Sequence, residues 1–301
     1  MSDAVQRLRI AVVPKDDAAS VLSAQTPPSG TSRWRRAGGV AVGVATHVLF
    51  AVTVWYLFWF LRNGTGSPSA SPFLVDALLS LQFAVIHSLL LWPPVRERLT
   101  PWIGSAFYGC FFCVATCVTL LVLFAGWKSS SESIWELHGT AATAMHSAFY
   151  ASWGCLFYSL WLSGIGYQTG WTPWWHWFNR RPLPKREFRP RSLYRVLRHP
   201  VYLSFLGLIW FTPHMSLDHA LLTGIWTVYI FFGSYLKDER LAYFLSDTYR
   251  EYQSRVPGYP FIPFGVLGRR RFPPQTIKEI AEPPVVLQLP ASHPTDDLIA
   301  A

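Results

Sequence analysis

Residues 102–127 have the sequence WIGSAFYGCFFCVATCVTLLVLFAGW, which contains no charged side chain. A helix of that length crosses the roughly 30 Å of hydrocarbon in a bilayer, and it satisfies its own backbone hydrogen bonds there. Further apolar stretches of similar or greater length run over residues 38–61, 73–92, 140–167 and 200–236. The sequence therefore predicts an all-α integral membrane protein.

The last apolar stretch is interrupted by polar residues at 212–219. We interpret it as a helical hairpin, with a short limb that ends near Trp210 and a longer return limb over residues 220–236. His214 and His219 lie in the turn, where we expect a polar water interface rather than a metal site. The prediction is four full transmembrane helices plus this C-terminal hairpin, or about five to six spans.

Composition and charge support a membrane protein and indicate its orientation. Only 14% of residues are charged, against roughly 25% in soluble proteins. Connections rich and poor in Arg and Lys alternate along the chain, which by the positive-inside rule predicts cytoplasmic termini and a cytoplasmic active site. The net charge of +9 is explained by attraction of basic residues to anionic membrane lipid, so no nucleic-acid partner is expected.

The domain organisation follows from these boundaries. The predicted segments are a disordered cytoplasmic tail (1–37), transmembrane helices 1–4 (38–166), a basic cytoplasmic connection (167–198), the hairpin with a ligand-binding segment (199–265) and a second disordered tail (266–301). The sequence gives no indication of oligomeric state.

Cysteines and tryptophans inside or beside the spans are expected to serve packing. Thiols in lipid-embedded helices behave as small hydrophobes, and this applies to Cys110, Cys113, Cys117 and Cys155. An aromatic belt at the headgroup level is the ordinary interpretation of a tryptophan cluster, here Trp171, Trp174, Trp175 and Trp177. A lipid-facing entrance for an apolar substrate is the second interpretation.

Two charged motifs lie where the hairpin limbs meet water. The first is Arg198-His199-Pro200-Val201-Tyr202, and the second is Lys237-Asp238-Glu239-Arg240. Arg or Asp at the centre of a membrane helix costs about 2.5–3.5 kcal/mol, so these motifs belong at helix ends. Positive-inside anchoring would explain the basic residues, whereas a binding site would also explain the acidic pair.

The chemistry of these motifs suits a zwitterionic ligand. Pro200 favours the first position of a helix, which places Arg198 and His199 at the anion-attracting helix N-terminus. Arg198 can clamp a carboxylate, and Tyr202 can offer an aromatic face to a cation. Asp238 or Glu239 can hold an ammonium group or ribose hydroxyls. S-adenosylmethionine carries all of these groups.

The same motifs resemble a group of small membrane methyltransferases, the isoprenylcysteine carboxyl methyltransferases and phospholipid N-methyltransferases. The resemblance covers roughly residues 76–263 and is closest to the methanethiol S-methyltransferase branch. Besides the motif at 198–202, it rests on Leu81-Gln82-Phe83-Ala84-Val85 with His87-Ser88, Trp210-x-Thr212-Pro213-x-Met215, Tyr249-x-x-Tyr252, Val256-Pro257 and Pro260-Phe261-Ile262-Pro263.

The resemblance implies an S-adenosylmethionine-dependent enzyme that methylates a small thiol, such as methanethiol, to give dimethyl sulfide. Arg198, His199, Tyr202, Asp238 and Glu239 would then bind the methyl donor. His199 or His87 would accept the thiol proton or position the thiolate. No metal centre is implied. A prenylcysteine or lipid acceptor, a transporter, and a non-catalytic membrane accessory protein are the alternatives.

Several residues leave the interpretation open. His87 lies within a predicted span, where it can either hydrogen-bond between helices or line a cavity. Ser204 replaces a glycine that is usual in the family. Aligning on Tyr249 puts Lys237-Asp238 under the family's Glu-Glu pair, and a shift of one residue puts Asp238-Glu239 there instead. The second alignment keeps both acidic residues as ligands.

Overall fold

A computed structural model of the protein describes residues 33–64, 67–68, 73–184 and 188–271. In chain order these residues form α1 (Arg33–Asn63), β1 (Ser67–Pro68), α2 (Phe73–Leu91), α3 (Pro93–Ile103), α4 (Tyr108–Gly126), β2 (Lys128–Ser129), β3 (Ser133–Glu136), α5 (Gly139–Ser163), α6 (Ile165–Gln168), α7 (Trp171–Phe178), α8 (Leu193–Val196), α9 (Pro200–Trp210), β4 (His214–Ser216) and α10 (Leu217–Arg255).

Long apolar helices dominate, as an all-α integral membrane protein requires. Among the described helices, α1, α2, α4 and α10 are long and apolar enough to cross a membrane, judged by length and composition. The fourth predicted span is a helix as expected, α5, and it is 25 residues long. Polar side chains such as His146 and Ser152 leave it less apolar than the three spans before it.

The helices pack in a continuous series around one core. Helix α4 contacts α1 and α2, α10 contacts α2 and α9, and α9 contacts α5. Because lipid tails are as apolar as the side chains, close van der Waals packing holds such helices together. The core includes Phe60, Leu123, Phe149, Leu208 and Leu222, which come from α1, α4, α5, α9 and α10.

The predicted hairpin is confirmed. Helix α9 ends at Trp210, a polar turn containing β4 follows, and α10 returns. Strand β4 pairs antiparallel with β3, so the turn packs on the connection between α4 and α5. We call this region the far end: the α4–α5 connection, β4, and the first turns of α2 and α10.

The return limb is much longer than the predicted 220–236. Helix α10 continues to Arg255, with a break at Ser246, whose φ of 46° and ψ of −126° are not helical. Eleven residues of unbroken helix would separate Asp238 from Tyr249 by about 16 Å along the axis. Because of the break, the Tyr249 hydroxyl instead donates to Asp238 Oδ1 at 2.5 Å.

The predicted tail boundaries also shift. Helix α1 begins at Arg33, before the predicted start at residue 38. At the other end, residues 266–271 are held by hydrogen bonds, since the Gly268 carbonyl accepts from Arg198 and the Arg270 N–H donates to Gln253. The rest of both predicted tails, 1–32 and 272–301, lies outside the described residues.

Only part of the tryptophan cluster is exposed, as an aromatic belt at the headgroup level would be. Trp171 and Trp175 are exposed, whereas Trp174 is buried against α1. The Trp174 indole donates to the Gly39 carbonyl at 2.7 Å, and a Cβ on Gly43 would lie 2.2 Å from its ring. Glycine at position 43 is therefore what lets α7 approach α1. Three of the cysteines pack as predicted, buried on α4: Cys110, Cys113 and Cys117.

Candidate ligand-binding site

The two charged motifs come together at the end of the bundle opposite the far end. Helix α9 begins at Pro200, with His199 as its N-cap residue, as the sequence predicted. The Arg198 N–H donates to the Pro257 carbonyl at 2.9 Å, which ties the start of α9 to residues 256–271. We call residues 256–271 the C-terminal strap, and the strap together with Arg198, His199 and the second half of α10 the near end.

Arg198 is at the centre of this end and is 2% exposed. Its Nε and Nη2 atoms donate to Asp238 Oδ2 at 3.1 and 2.7 Å. Its Nη1 atom donates to the carbonyls of Val256 and Gly268 at 2.6 and 2.7 Å, with the Gln253 carbonyl at 3.3 Å. The guanidinium therefore joins α10 to the strap, and Asp238 is its carboxylate partner within the chain.

Asp238 is equally buried, and its second oxygen is also engaged. Oδ1 accepts the Tyr249 hydroxyl at 2.5 Å and lies 3.2 Å from His199 Nε2. A buried ion pair is favourable only when further hydrogen bonds satisfy the remaining atoms, and the Tyr249 hydroxyl supplies one to Oδ1. The sequence suggested that Arg198 and Asp238 each hold a different group of a ligand, whereas the structure places them in direct contact.

The His199 ring is fully enclosed. Its exposed fraction is 0%, and the rings of Tyr202 and Tyr259 each have centroids 5.5 Å from it. Burial lowers the pKa of His199, with Asp238 opposing that effect, so the imidazole is neutral near pH 7. A neutral imidazole can accept a proton, which is the property that a general base needs.

Several buried polar atoms around this pair have no hydrogen-bond partner in the part of the chain that the structure describes. Both ring nitrogens of His199 are among them, because Nε2 is near Asp238 but not in hydrogen-bond geometry. Both side-chain amide atoms of Gln253, which is 0% exposed, are also unpartnered, as are Tyr259 Oη and Arg270 Nη2. Each such group costs about 1–3 kcal/mol when nothing satisfies it. A polar ligand bound among these atoms would supply the missing hydrogen bonds.

Gln253 and Tyr259 were missed in the sequence analysis. Gln253 follows Tyr249 by one helical turn and so lies on the same face of α10. That spacing was a usable signal once Tyr249 had been singled out. Tyr259 had no such signal, because it reaches His199 only through the path of the strap, where a Cβ on Gly258 would lie 2.9 Å from His199 Cδ2.

Of the remaining predicted ligands, Tyr202 belongs to the cluster and Glu239 lies apart. Tyr202 packs edge-on against His199, and the Lys237 ammonium is 5.3 Å from the centroid of the Tyr202 ring. Glu239 is 45% exposed in its side chain and pairs with Arg270 at 2.6 Å. The geometry therefore brings Lys237 and Asp238 to the site, which agrees with the alignment anchored on Tyr249.

His87 occupies a separate place between α2, α4 and α10. Phe83, Phe112 and Tyr229 surround its ring, with centroids 5.0–6.4 Å away. Its Nδ1 atom is 3.4 Å from Thr116 Oγ1, which is the interhelical contact expected of a polar residue in a span. On the next residue, Ser88 Oγ is 3.3 Å from the Tyr229 hydroxyl.

Beside the Arg198 cluster lies an open depression of about 460 Å³. Three arginines give its wall a positive charge. The lining residues are Arg195, Val196, Leu197, Arg255, Pro257, Pro260 and Arg269.

The profile of the family described as NnrU protein matches residues 75–265. Methanethiol S-methyltransferase 1 of Bradyrhizobium diazoefficiens is 28% identical over 71% of this chain and 79% of its own length. Methanethiol S-methyltransferase of a Pseudomonas species is 26% identical over 72% and 88%. Nurim of Danio rerio is 26% identical over 61% and 68%. No solved structure matches the chain.

Proposed function

The chain belongs to the NnrU family, and from that premise we propose that it is a membrane methyltransferase that methylates the sulfur of a small thiol, such as methanethiol. S-adenosylmethionine would be the methyl donor. The observation that carries the proposal is the similarity to enzymes named methanethiol S-methyltransferase over most of both chains. The region that the NnrU profile matches, residues 75–265, includes both charged motifs of the near end.

The residues at the near end fit such a donor in part. The unpartnered atoms of His199, Gln253 and Tyr259 match a ligand that carries amino, carboxylate, ribose and adenine groups. Arg198 and Asp238 are already paired with each other, so their first role is to hold the strap over the site. Tyr202 would pack against the donor, and Glu239 would take part only if its pair with Arg270 opened.

The proposed chemistry requires positioning and removal of a proton. When bound, S-adenosylmethionine would supply a methyl group on a sulfonium, for in-line transfer to a thiolate with the donor's neutral sulfide as the leaving group. A buried site that aligns the two reactants and excludes water provides most of the acceleration in such a reaction. His199 would accept the thiol proton at one of its unpartnered ring nitrogens. His87 would act on the acceptor from the membrane side, beside Tyr229.

The orientation is part of the proposal. Alternating basic connections place both termini and the near end in the cytoplasm, and the far end opposite. Cysteine substitutions at Gly64 and Ser130 should be labelled by an impermeant reagent from outside intact cells. A cysteine at Arg255, beside the depression at the near end, should be labelled only after permeabilisation. Labelling of the Arg255 position in intact cells would overturn the orientation.

A non-catalytic membrane role is the second candidate, and one observation favours it. Lys237 is a cation where the resemblance would place a ligand-binding glutamate, and like charge at that position would weaken binding of a sulfonium. A prenylcysteine or lipid acceptor remains the alternative within the methyltransferase class.

Two measurements test the proposal. Cells that express the chain and receive methanethiol should release dimethyl sulfide into the headspace, and cells carrying the empty vector should not. The purified protein in detergent should bind S-adenosylhomocysteine, as followed by calorimetry. Binding without dimethyl sulfide would point to the other acceptors. The absence of both would leave the accessory role.

A further inference from the structure

Lys237 is a cation that forms no ion pair with any described residue, at a site where the neighbouring charges are paired. The described residues give its ammonium no hydrogen bond and no ion pair, and its contact is with the face of the Tyr202 ring at 5.3 Å. Its neighbour Asp238 is committed to Arg198, Tyr249 and His199. Lysine is rarely buried without a partner, so with respect to the described residues this ammonium is available to an anion.

Free space lies on the same face of α10. Gly233 precedes Lys237 by one helical turn, and a Cβ placed on it would meet only Tyr202 Cε1, at 3.8 Å. Tyr229 precedes Gly233 by another turn, and its hydroxyl is 3.3 Å from Ser88 Oγ on α2. Residues four apart lie on one face of a helix. A stripe of Tyr229, Gly233 and Lys237 therefore runs from the region of His87 to the near end.

We propose that Lys237 holds the thiolate form of the methyl acceptor in the space left by Gly233, against the ring of Tyr202. The inference rests on the proposed function and names the acceptor side of the same site. The space beside Gly233 is suited to a small alkyl group, and the Lys237 ammonium is suited to the negative charge on the thiolate sulfur.

The electrostatic reason is direct. An ordinary thiol such as that of cysteine has a pKa near 8.5 and is mostly protonated at neutral pH. A positive charge within about 4–6 Å lowers such a pKa by about 1–3 units. The S–H proton passes to the neutral His199 imidazole or to water, a new S–CH₃ bond forms, and the donor's sulfonium C–S bond breaks with its electron pair staying on the donor. Around Lys237 the other charged or titratable groups are Asp238, Arg240, Tyr202 and His199.

The test compares two acceptors in membranes that contain the full chain. Lys237→Met keeps the length of the side chain and removes its charge. With methanethiol, kcat/KM should fall about 10- to 100-fold near pH 7, and the rise of the pH profile should move up by about 1–2 units. With thiophenol, an aryl thiol that ionises more readily, the loss should be less than about threefold. Arg250→Met, an exposed charge on the same helix, should change neither.

Two further variants cover the case in which Lys237→Met folds poorly. Lys237→Arg should retain the pH profile of the wild type. Gly233→Val should raise KM for propanethiol more than KM for methanethiol, because it fills the free space. Equal losses for both thiols with an unchanged pH profile would give Lys237 a structural role and overturn the proposal.

Failure of the two proposals can be told apart. Wild-type protein that methylates thiols while Lys237→Met shows no acceptor dependence contradicts only the role of Lys237. Wild-type protein that neither binds S-adenosylhomocysteine nor methylates any thiol contradicts the methyltransferase assignment, and the role of Lys237 with it.

Discussion

Both ends of the bundle are organised by a buried aspartate on α10, and the two aspartates have different partners. At the far end, Asp218 accepts from the Trp127 indole and the Ser130 backbone N–H, at 2.9 and 3.0 Å. At the near end, Asp238 faces Arg198, His199 and the Tyr249 hydroxyl. The first set of donors is neutral and nearly consecutive in the chain, whereas the second includes a full charge and comes from distant segments.

The unpartnered polar atoms favour the near end as the place where a ligand binds. Neutral donors are enough to fasten a connection. Near the far end, among the described residues, the fully buried unpartnered atoms Asp76 Oδ2 and Ser80 Oγ lie on one turn of α2, and the third, His146 Nδ1 on α5, belongs to a partly exposed residue. At the near end the unpartnered atoms come from the start of α9, from α10 and from the strap. Atoms that converge from separate segments indicate a binding site more strongly than atoms that are neighbours in sequence.

The largest difference between the ends should appear when each aspartate loses its charge. Asp238→Asn leaves the Arg198 guanidinium buried without its counter-charge, which should lower the free energy of unfolding by about 3–5 kcal/mol. Asp218→Asn weakens hydrogen bonds from neutral donors and should cost about 1–3 kcal/mol. Thermal unfolding of the two purified variants in the same detergent measures this, and equal losses would contradict the distinction.

Closure of the near end by the strap can be tested at a glycine. A Cβ on Gly258 would lie 2.2 Å from the Leu267 carbonyl oxygen, so Gly258→Ala must displace the backbone and should cost about 1–3 kcal/mol. Gly224→Ala is the matched control, because a Cβ there meets nothing within 4 Å. Alanine in that helix should be neutral or stabilising by up to about 1 kcal/mol. An undisturbed Gly258→Ala protein would contradict the close approach of Gly258 to Leu267 and His199 in the strap.

Acid should weaken the near end through His199. Its folded-state pKa is lowered by burial, so folding favours the neutral ring, while the unfolded ring takes up a proton near pH 6.5. The contribution to stability is complete above about pH 6.5 and is lost as the pH falls toward the folded-state pKa. Between pH 7 and pH 5 the melting temperature should fall more for wild type than for His199→Gln. Parallel declines would show that His199 does not titrate as expected.

The smallest effect is expected at the exposed acidic residue of the near end. Glu239→Gln breaks the pair with Arg270, whose partners are partly exposed, and should cost less than about 1 kcal/mol. Glu251→Gln breaks the more exposed pair with Arg255 and should cost still less. Binding of S-adenosylhomocysteine to Glu239→Gln should match wild type. Of the three consecutive residues Lys237, Asp238 and Glu239, the first two face the site and Glu239 does not. A large loss of binding would favour the alignment that uses Glu239.

The sequence by itself determined the architecture and the hairpin, and it singled out most of the residues that meet at the near end. Uncharged stretches long enough to cross a bilayer form helices, because a helix satisfies its own backbone hydrogen bonds where water is absent. Pro200 determined where α9 begins, and the polar residues at 212–219 determined where the hairpin turns. Apolar length and proline chemistry act locally, so they are visible without tertiary contacts.

Only the tertiary structure decided how the charged residues are used. The break at Ser246 and the return of the strap bring Tyr249, Gln253 and Tyr259 to Arg198, Asp238 and His199, and no local pattern encodes that path. The sequence suggested Arg198 and Asp238 as separate ligand contacts, whereas burial made them each other's counter-charge. Two opposite charges withdrawn from water pair with whatever is nearest in space, and what is nearest is determined by the fold.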